Sequence, residues 1–438
     1  MLRYFVYTFF IFLTITLSVS ASEQIKDSDL LSSITGSNSE KFREAIDYIK
    51  LIRPPALPQL LKEEYLDDDD EEVRYRIITA LKEYPAGEQS MIWNELLKIT
   101  KDKKNEIALI EFLSSVKHGI FTVPVAEKLL VPRSEAREKA AVMLKKYGND
   151  RMLPVILSLG QSKNPIDRIY FLEALNHLYD IRFKKSVISM IEDENKSVRI
   201  YAIKCVNSNM IKEALPFLRR LAAKDNNTES RKMAISSLVL FKDKQSGSLL
   251  TGILKNEDPA IRIEVITALR ELKYSNSAGP LSDMLLKDEN SSIRHAILDT
   301  LISFKKTGNI NALKHLIKND HDPKIRIKAV FTIGVAGGNR DSVEALKEAL
   351  LDGDYRVRGE ACNSLGFLKK SGAAEILIEQ IKTDKSRYVR TAALYSIVRI
   401  NDPRNIIRLF DIYSFEEDRV FRELLRGIIR DSIKKRIR

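Results

Sequence analysis

Asp or Asn followed four residues later by Arg could orient a carboxylate, hold a metal or clamp an anion, and this sequence repeats that pairing along its length. Asp258 with Arg262, Asp322 with Arg326 and Asp354 with Arg358 are examples. Catalysis would need such groups to converge with a nucleophile or a general base. The histidines (His118, His177, His295, His315, His321) are scattered, and the closest two, His315 and His321, have no cysteine beside them. Two cysteines, Cys205 and Cys362, are too few for a disulfide scaffold. No phosphate-binding glycine loop, nucleophile elbow or HExxH is present. The acidic run DDDDEE (67–72) lacks the spacing and turn glycine of a calcium loop, and reads as a solvated inter-helix turn. The expectation is a non-enzyme with no catalytic residue, cofactor or metal.

Architecture accounts for the pairs instead. Arg recurs at 43, 74, 137, 168, 199, 231, 262, 294, 326, 358, 390 and 422, in steps of 31 or 32 with one double step of 63 that has Glu106 at its middle. Four residues before these thirteen positions, all but Arg133 are Asp, Asn or Ser, the types that cap a helix N-terminus. Three residues after, all thirteen are apolar; seven after, all but Lys50 are aliphatic. These offsets form one stripe of an α-helix. A second apolar helix precedes each, as in SVEALKEALL (342–351). One hairpin cannot bury its apolar faces alone, whereas a stack can. The predicted fold is an all-α solenoid of about thirteen stacked hairpins over residues 22–438. With helices 8–10 Å apart such a stack extends on the order of 100 Å. Cys205 and Cys362, five units apart, are then beyond disulfide reach.

The stretches DPAIRIEVITAL, DPKIRIKAVFTI, DYRVRGEACNSL and SRYVRTAALYSI resemble the short HEAT-like repeat of the phycobilisome-lyase type. The resemblance covers roughly residues 25–435. It implies a solenoid whose second helices line a concave side. It also implies several functions, among them adaptors, bilin-type cofactor lyases or chaperones, and DNA-binding repair proteins, so function must be argued from surfaces.

Two surfaces stand out. Five residues after the Arg column the residue type varies between units: Tyr48, Thr79, Glu111, Glu173, Lys204, Thr267, Asp299, Phe331, Asn363 and Tyr395. These are the candidate partner-binding groove. In the last helix Arg422, Arg426, Arg430 and Lys434 follow at four-residue steps, with Arg419 before them. Arg419, Arg426, Arg430 and Lys434 are the candidate basic docking stripe, for an acidic protein or another anionic surface; a polar end cap is the alternative reading.

Residues 1–21 carry Arg3, an apolar stretch and the small-x-small end Val19-Ser20-Ala21, the pattern of a signal peptide cleaved after Ala21. An uncleaved anchor is the alternative. No later stretch is apolar enough to span a membrane. The expectation is a bacterial binding scaffold, periplasmic or secreted, with protein partners in the cell envelope. The net charge of +12 leaves nucleic-acid binding as an alternative that a secreted chain makes less expected.

Overall fold

The structure is a computed structural model describing residues 25–85, 89–115, 122–130, 135–147, 150–255, 258–338, 340–368 and 372–437. Residues 1–21, expected to be a leader, the cleavage site expected after them, His118 and Arg133 lie outside these residues. Every regular element among the described residues is an α- or 3-10 helix. Two compact units divide the chain, at 189/190.

In the first unit the second helices of successive hairpins are α1 (Ser39–Ile52), α2 (Glu71–Leu81), α3 (Lys103–Ser115), α4 (Glu135–Tyr147) and α5 (Pro165–Leu178). In the second unit they are α6 (Lys196–Ser208), α7 (Thr228–Leu240), α8 (Pro259–Glu271), α9 (Ser291–Phe304), α10 (Pro323–Ala336), α11 (Tyr355–Leu368) and α12 (Arg387–Ile400). The last hairpin pairs α13 (Arg404–Phe415) with α14 (Arg419–Ile437).

The apolar stripe forms the core. All thirteen residues three after the Arg column are buried, from Ile46 to Leu425, as are the twelve aliphatic residues seven after it. Lys50 is exposed. Trp93 is fully buried against the Phe112 ring, 4.6 Å away.

Caps start the helices where the sequence places them. Asn164, Asn195, Asn227, Asp258, Asn290 and Asp322 accept first-turn amides at 2.8–3.0 Å, each a contribution of about 1 kcal/mol. Two positions differ. Asn38 rather than Ser39 caps α1, accepting the Glu40 and Lys41 amides, so Ser39 becomes the first helical residue. Ser386 makes no side-chain cap bond; its own amide donates to Asp384 instead.

Helices α10, α11 and α12 approach closely because Gly334 and Gly366 sit at their contacts. A Cβ on Gly334 would lie 2.4 Å from Ser364 Oγ, and one on Gly366 2.7 Å from Ser396 Cβ.

Candidate binding surface

What holds the second helices in register is a ladder of arginines. In the second unit Arg199 pairs with Asp225, Arg262 with Asp288, Arg294 with Asp320, Arg326 with Asp352 and Arg358 with Asp384, at 2.6–2.9 Å. Each acid lies 26 residues on, in the turn of the next hairpin. These carboxylates are only 3–8 % exposed, so the pairs are largely desolvated. The same arginines donate backwards to carbonyls of their own turn: Arg294 to Asp288 and Glu289, Arg326 to Asp320, Arg358 to Asp352. Each acid also accepts an amide two residues on, as Asp352 does from Asp354 and Asp384 from Ser386. One rung therefore ties a guanidinium, two turns and a helix start together with charge-assisted bonds. Burial works to raise the Asp384 carboxyl. The Arg358 hydrogen bond, the Ser386 amide and the Arg358 and Arg390 charges outweigh it and hold it below the usual carboxylate range.

The recurrent Asp–Arg pairs thus cap helices and clamp neighbours. Sequence spacing shows the caps, but the acids six residues before the Arg column form the rungs and are not singled out by it. Their signal is present: Asp288, Asp320, Asp352 and Asp384 recur 32 residues apart.

The proposed groove column lies on the second helices with none of its residues buried. Glu111, Lys204 and Tyr395 are exposed; Tyr48, Thr79, Glu173, Thr267, Asp299, Phe331 and Asn363 are half-buried. Some members reach across to the next hairpin: Glu111 pairs with Lys139 at 2.6 Å and Asp299 with Lys328 at 2.6 Å. Lys204 stacks over Tyr201 in its own helix, and the Asn363 carbonyl accepts from Arg399.

Around this column, α11 and α12 carry an aromatic patch that the spacing alone does not single out. Tyr355, Phe367, Tyr388 and Tyr395 are each about half exposed. Tyr355 and Tyr388 meet edge-on with ring centroids 5.5 Å apart. Tyr388 lies over the bare backbone of Gly359, where a Cβ would come within 2.4 Å of the ring. Arg399 stacks on Phe367 at 4.2 Å. On α12 Tyr388, Tyr395 and Arg399 follow at steps of seven and four residues and so share one face, whereas Tyr355 and Phe367 lie twelve residues apart on α11, about a third of a turn from one another around it.

At the end of the second unit Arg419, Arg426, Arg430 and Lys434 are all exposed on α14. Arg426, Arg430 and Lys434 line a cleft of about 400 Å³ with Phe410, Tyr413, Ile429 and Ile433.

Other reactive side chains stay apart. Cys205 and Cys362 are free and buried, and burial pushes both thiols up to about 12, which leaves them unreactive. His295 faces Asp322 at 3.4 Å, whereas His315 contacts Asn319. Among the described residues no three His, Cys, Asp or Glu side chains converge as metal ligands. The acidic run is a turn: Asp70 caps α2, Asp69 meets Arg74 and Glu72 meets Lys104. Among the described residues no helix is long and apolar enough to cross a membrane.

The family of HEAT repeats matches residues 184–258, 216–302, 247–330 and 310–398. No curated protein sequence matches the chain. Among solved structures Kap121p is similar in fold, at 14 % identity, TM-score 0.51, covering 86 % of this chain and 49 % of that one. A mutant of Kap121p gives 14 % and 0.50, covering 84 % and 48 %. This chain therefore spans about half the length of those structures. The complex of CpcE and CpcF of phycocyanin lyase from Nostoc sp. PCC7120 is also similar, at 16 % identity over 50 % of this chain and 94 % of that one, TM-score 0.30. Residues 184–398 match the family and the Arg register runs on through the hairpins before and after them, so the fold is an α-solenoid of HEAT-type repeats.

Proposed function

We propose that the protein is a non-enzymatic binding scaffold of the periplasm or cell envelope, holding protein partners on its second-helix face. The observation that carries this reading is the patch of Tyr355, Phe367, Tyr388, Tyr395 and Arg399. Aromatic residues and arginine dominate binding hot spots, and α12 leaves Tyr388, Tyr395 and Arg399 together on one accessible face. A HEAT-repeat stack offers an extended, rigid surface on which variable residues alternate with fixed core ones. The envelope location is supported by the leader-like residues 1–21.

The test is in-cell crosslinking of the tagged full-length protein, with mass spectrometry of what is captured, beside the double variant Tyr388→Ser, Tyr395→Asp. One or two envelope proteins in fixed ratio, lost from the variant while its thermal melt is unchanged, supports the reading. Capture of nucleic acid with cytosolic proteins, or equal capture by the variant, overturns it. The mature N-terminus, expected at Ser22, is read from the same material.

A further inference from the structure

The face formed by α13 and α14 ends the second unit, and three observations say what would cover it. The first is register. Phe410 stands twelve residues before Arg422, where Ile378 and Leu346 stand in the two preceding hairpins. Ile378 is 7 % exposed and Leu346 0 %, but Phe410 is 56 % exposed. Tyr413 likewise occupies the position of Ile381 and Ala349, both fully buried, yet it remains half-exposed. In the preceding hairpin the next first helix packs here: α13 lies against the helix Ala373–Thr383. The exposed apolar face is thus shaped for a helix.

The second observation is the ladder. Arg358 and Arg390 each take a carboxylate from the following hairpin, Asp384 and Asp418 respectively. Arg422 occupies the same register position, is exposed, and meets no carboxylate among the described residues. An occupant stacked on this face that carries an acid would complete that rung.

The third is the stripe. Arg426 and Arg430 have only exposed neighbours on their own helix, Glu423 and Asp431, each at 3.6 Å. Such pairs contribute little and leave the cations available. Lys434 has no acidic partner among the described residues. A second copy of the same face would set these like charges opposite one another, which disfavours self-pairing.

We propose that this end face docks an amphipathic α-helical segment of a partner protein, its apolar side on Phe410 and Tyr413 and its acidic side chains on Arg422, Arg426 and Arg430. Helix-in-groove recognition of this kind combines an apolar stripe with flanking charge. The inference rests on the scaffold reading only in taking a protein as ligand; it uses a surface distinct from the aromatic patch.

The probe is a fluorescently labelled synthetic helix of about 20 residues, long enough to hold helical structure, with leucine at every third and fourth position and glutamate flanking them. Its anisotropy is followed with the full-length protein. Controls are a scrambled peptide of the same composition and the helix with lysine replacing glutamate. The acidic helix should bind, more weakly as salt rises, and neither control should. Phe410→Asp and Arg422→Glu should each weaken binding about tenfold or more, a loss in the range of one hot-spot contact. All the altered side chains are exposed, so thermal melts should not change. Equal binding of the scrambled peptide, or no loss with Phe410→Asp, would overturn the proposal. So would binding to phosphatidylglycerol vesicles without binding of the helix, which would assign the face to a membrane. None of these outcomes bears on capture at the aromatic patch, so the two readings fail separately.

Discussion

The two units share one register yet differ in how charge locks their hairpins. In the second unit, buried Arg–Asp rungs are made by Arg199 and then, without a break, by Arg262, Arg294, Arg326 and Arg358; between the first two, Arg231 donates to the Ala222 carbonyl. In the first unit Arg74 turns to Asp69 of its own turn, whose side chain is fully exposed. One hairpin later the charges are inverted. Glu106 occupies the arginine position, and Lys128 reaches it at 3.0 Å while donating to the Thr100 carbonyl. Both partners are buried. Lys128 thereby performs both tasks of a ladder arginine, carbonyl bonding and ion pairing, from the opposite direction. The apolar stripe is the same beneath either arrangement, and the polar clamp can be rebuilt wherever a cation reaches a turn carbonyl and a carboxylate.

This contrast yields its largest expected effect at Asp352. Asp352→Ala strands the half-buried Arg326 and removes the acceptor for the Asp354 amide. Loss of one partner from a buried pair costs about 3–5 kcal/mol, and partial exposure of Arg326 argues for the lower end. Asp69→Ala removes a fully exposed partner and should leave stability unchanged within error. Urea unfolding of both variants checks the pair. Equal losses would mean that the ladder is not a clamp and that the two units do not differ in this respect.

A smaller effect comes from pH. The Asp384 carboxyl is depressed in the folded protein, so it contributes stability that is present above the unfolded carboxylate pKa of about 3.9 and is lost as pH falls through the lower folded value. Asp384→Asn lacks this titration. Between about pH 4 and pH 2 its melting temperature should fall less steeply than that of the parent chain. Parallel acid limbs would show that Asp384 does not gain from its arginines.

How much of this is readable in the sequence depends on how restrictive each task is. A helix cap admits few residue types, so Asp258 or Asn290 announces a helix start. A core stripe admits only apolar residues, so Ala329 and Ile333 announce the buried face. The rungs are less legible because their acids sit in turns, where Asp is common for other reasons, and each partner belongs to the next repeat. Asn38 displaces Ser39 as a cap because two adjacent polar residues both satisfy the rule, and only the geometry chooses. The groove column is accessible, as a varying column should be, but variation carries no information about which members cluster. Tyr355 meets Tyr388, and Phe367 meets Arg399, through contact between α11 and α12, a relation between repeats that no single repeat displays.

The smallest effect concerns how hairpins of the second unit end. Eleven residues after the Arg column the chain turns left-handed at Met210, Lys242, Lys273, Lys305 and Asn401, with φ between 52° and 58°. In the first unit, among the described residues, only Arg53 has a positive φ. A side chain with a full Cβ pays a steric penalty in this conformation that glycine avoids and asparagine partly escapes. Lys273→Gly should therefore stabilise the protein by about 0.5–1 kcal/mol, with no contact added. Asn401→Gly, at the same place in its hairpin, should gain less than half of that. The urea midpoints of the two variants decide it: a gain at Lys273 alone would show that the regular exits of the second unit are imposed by stacking against local preference. Equal gains would place the penalty in the turn itself, independent of the residue that occupies it.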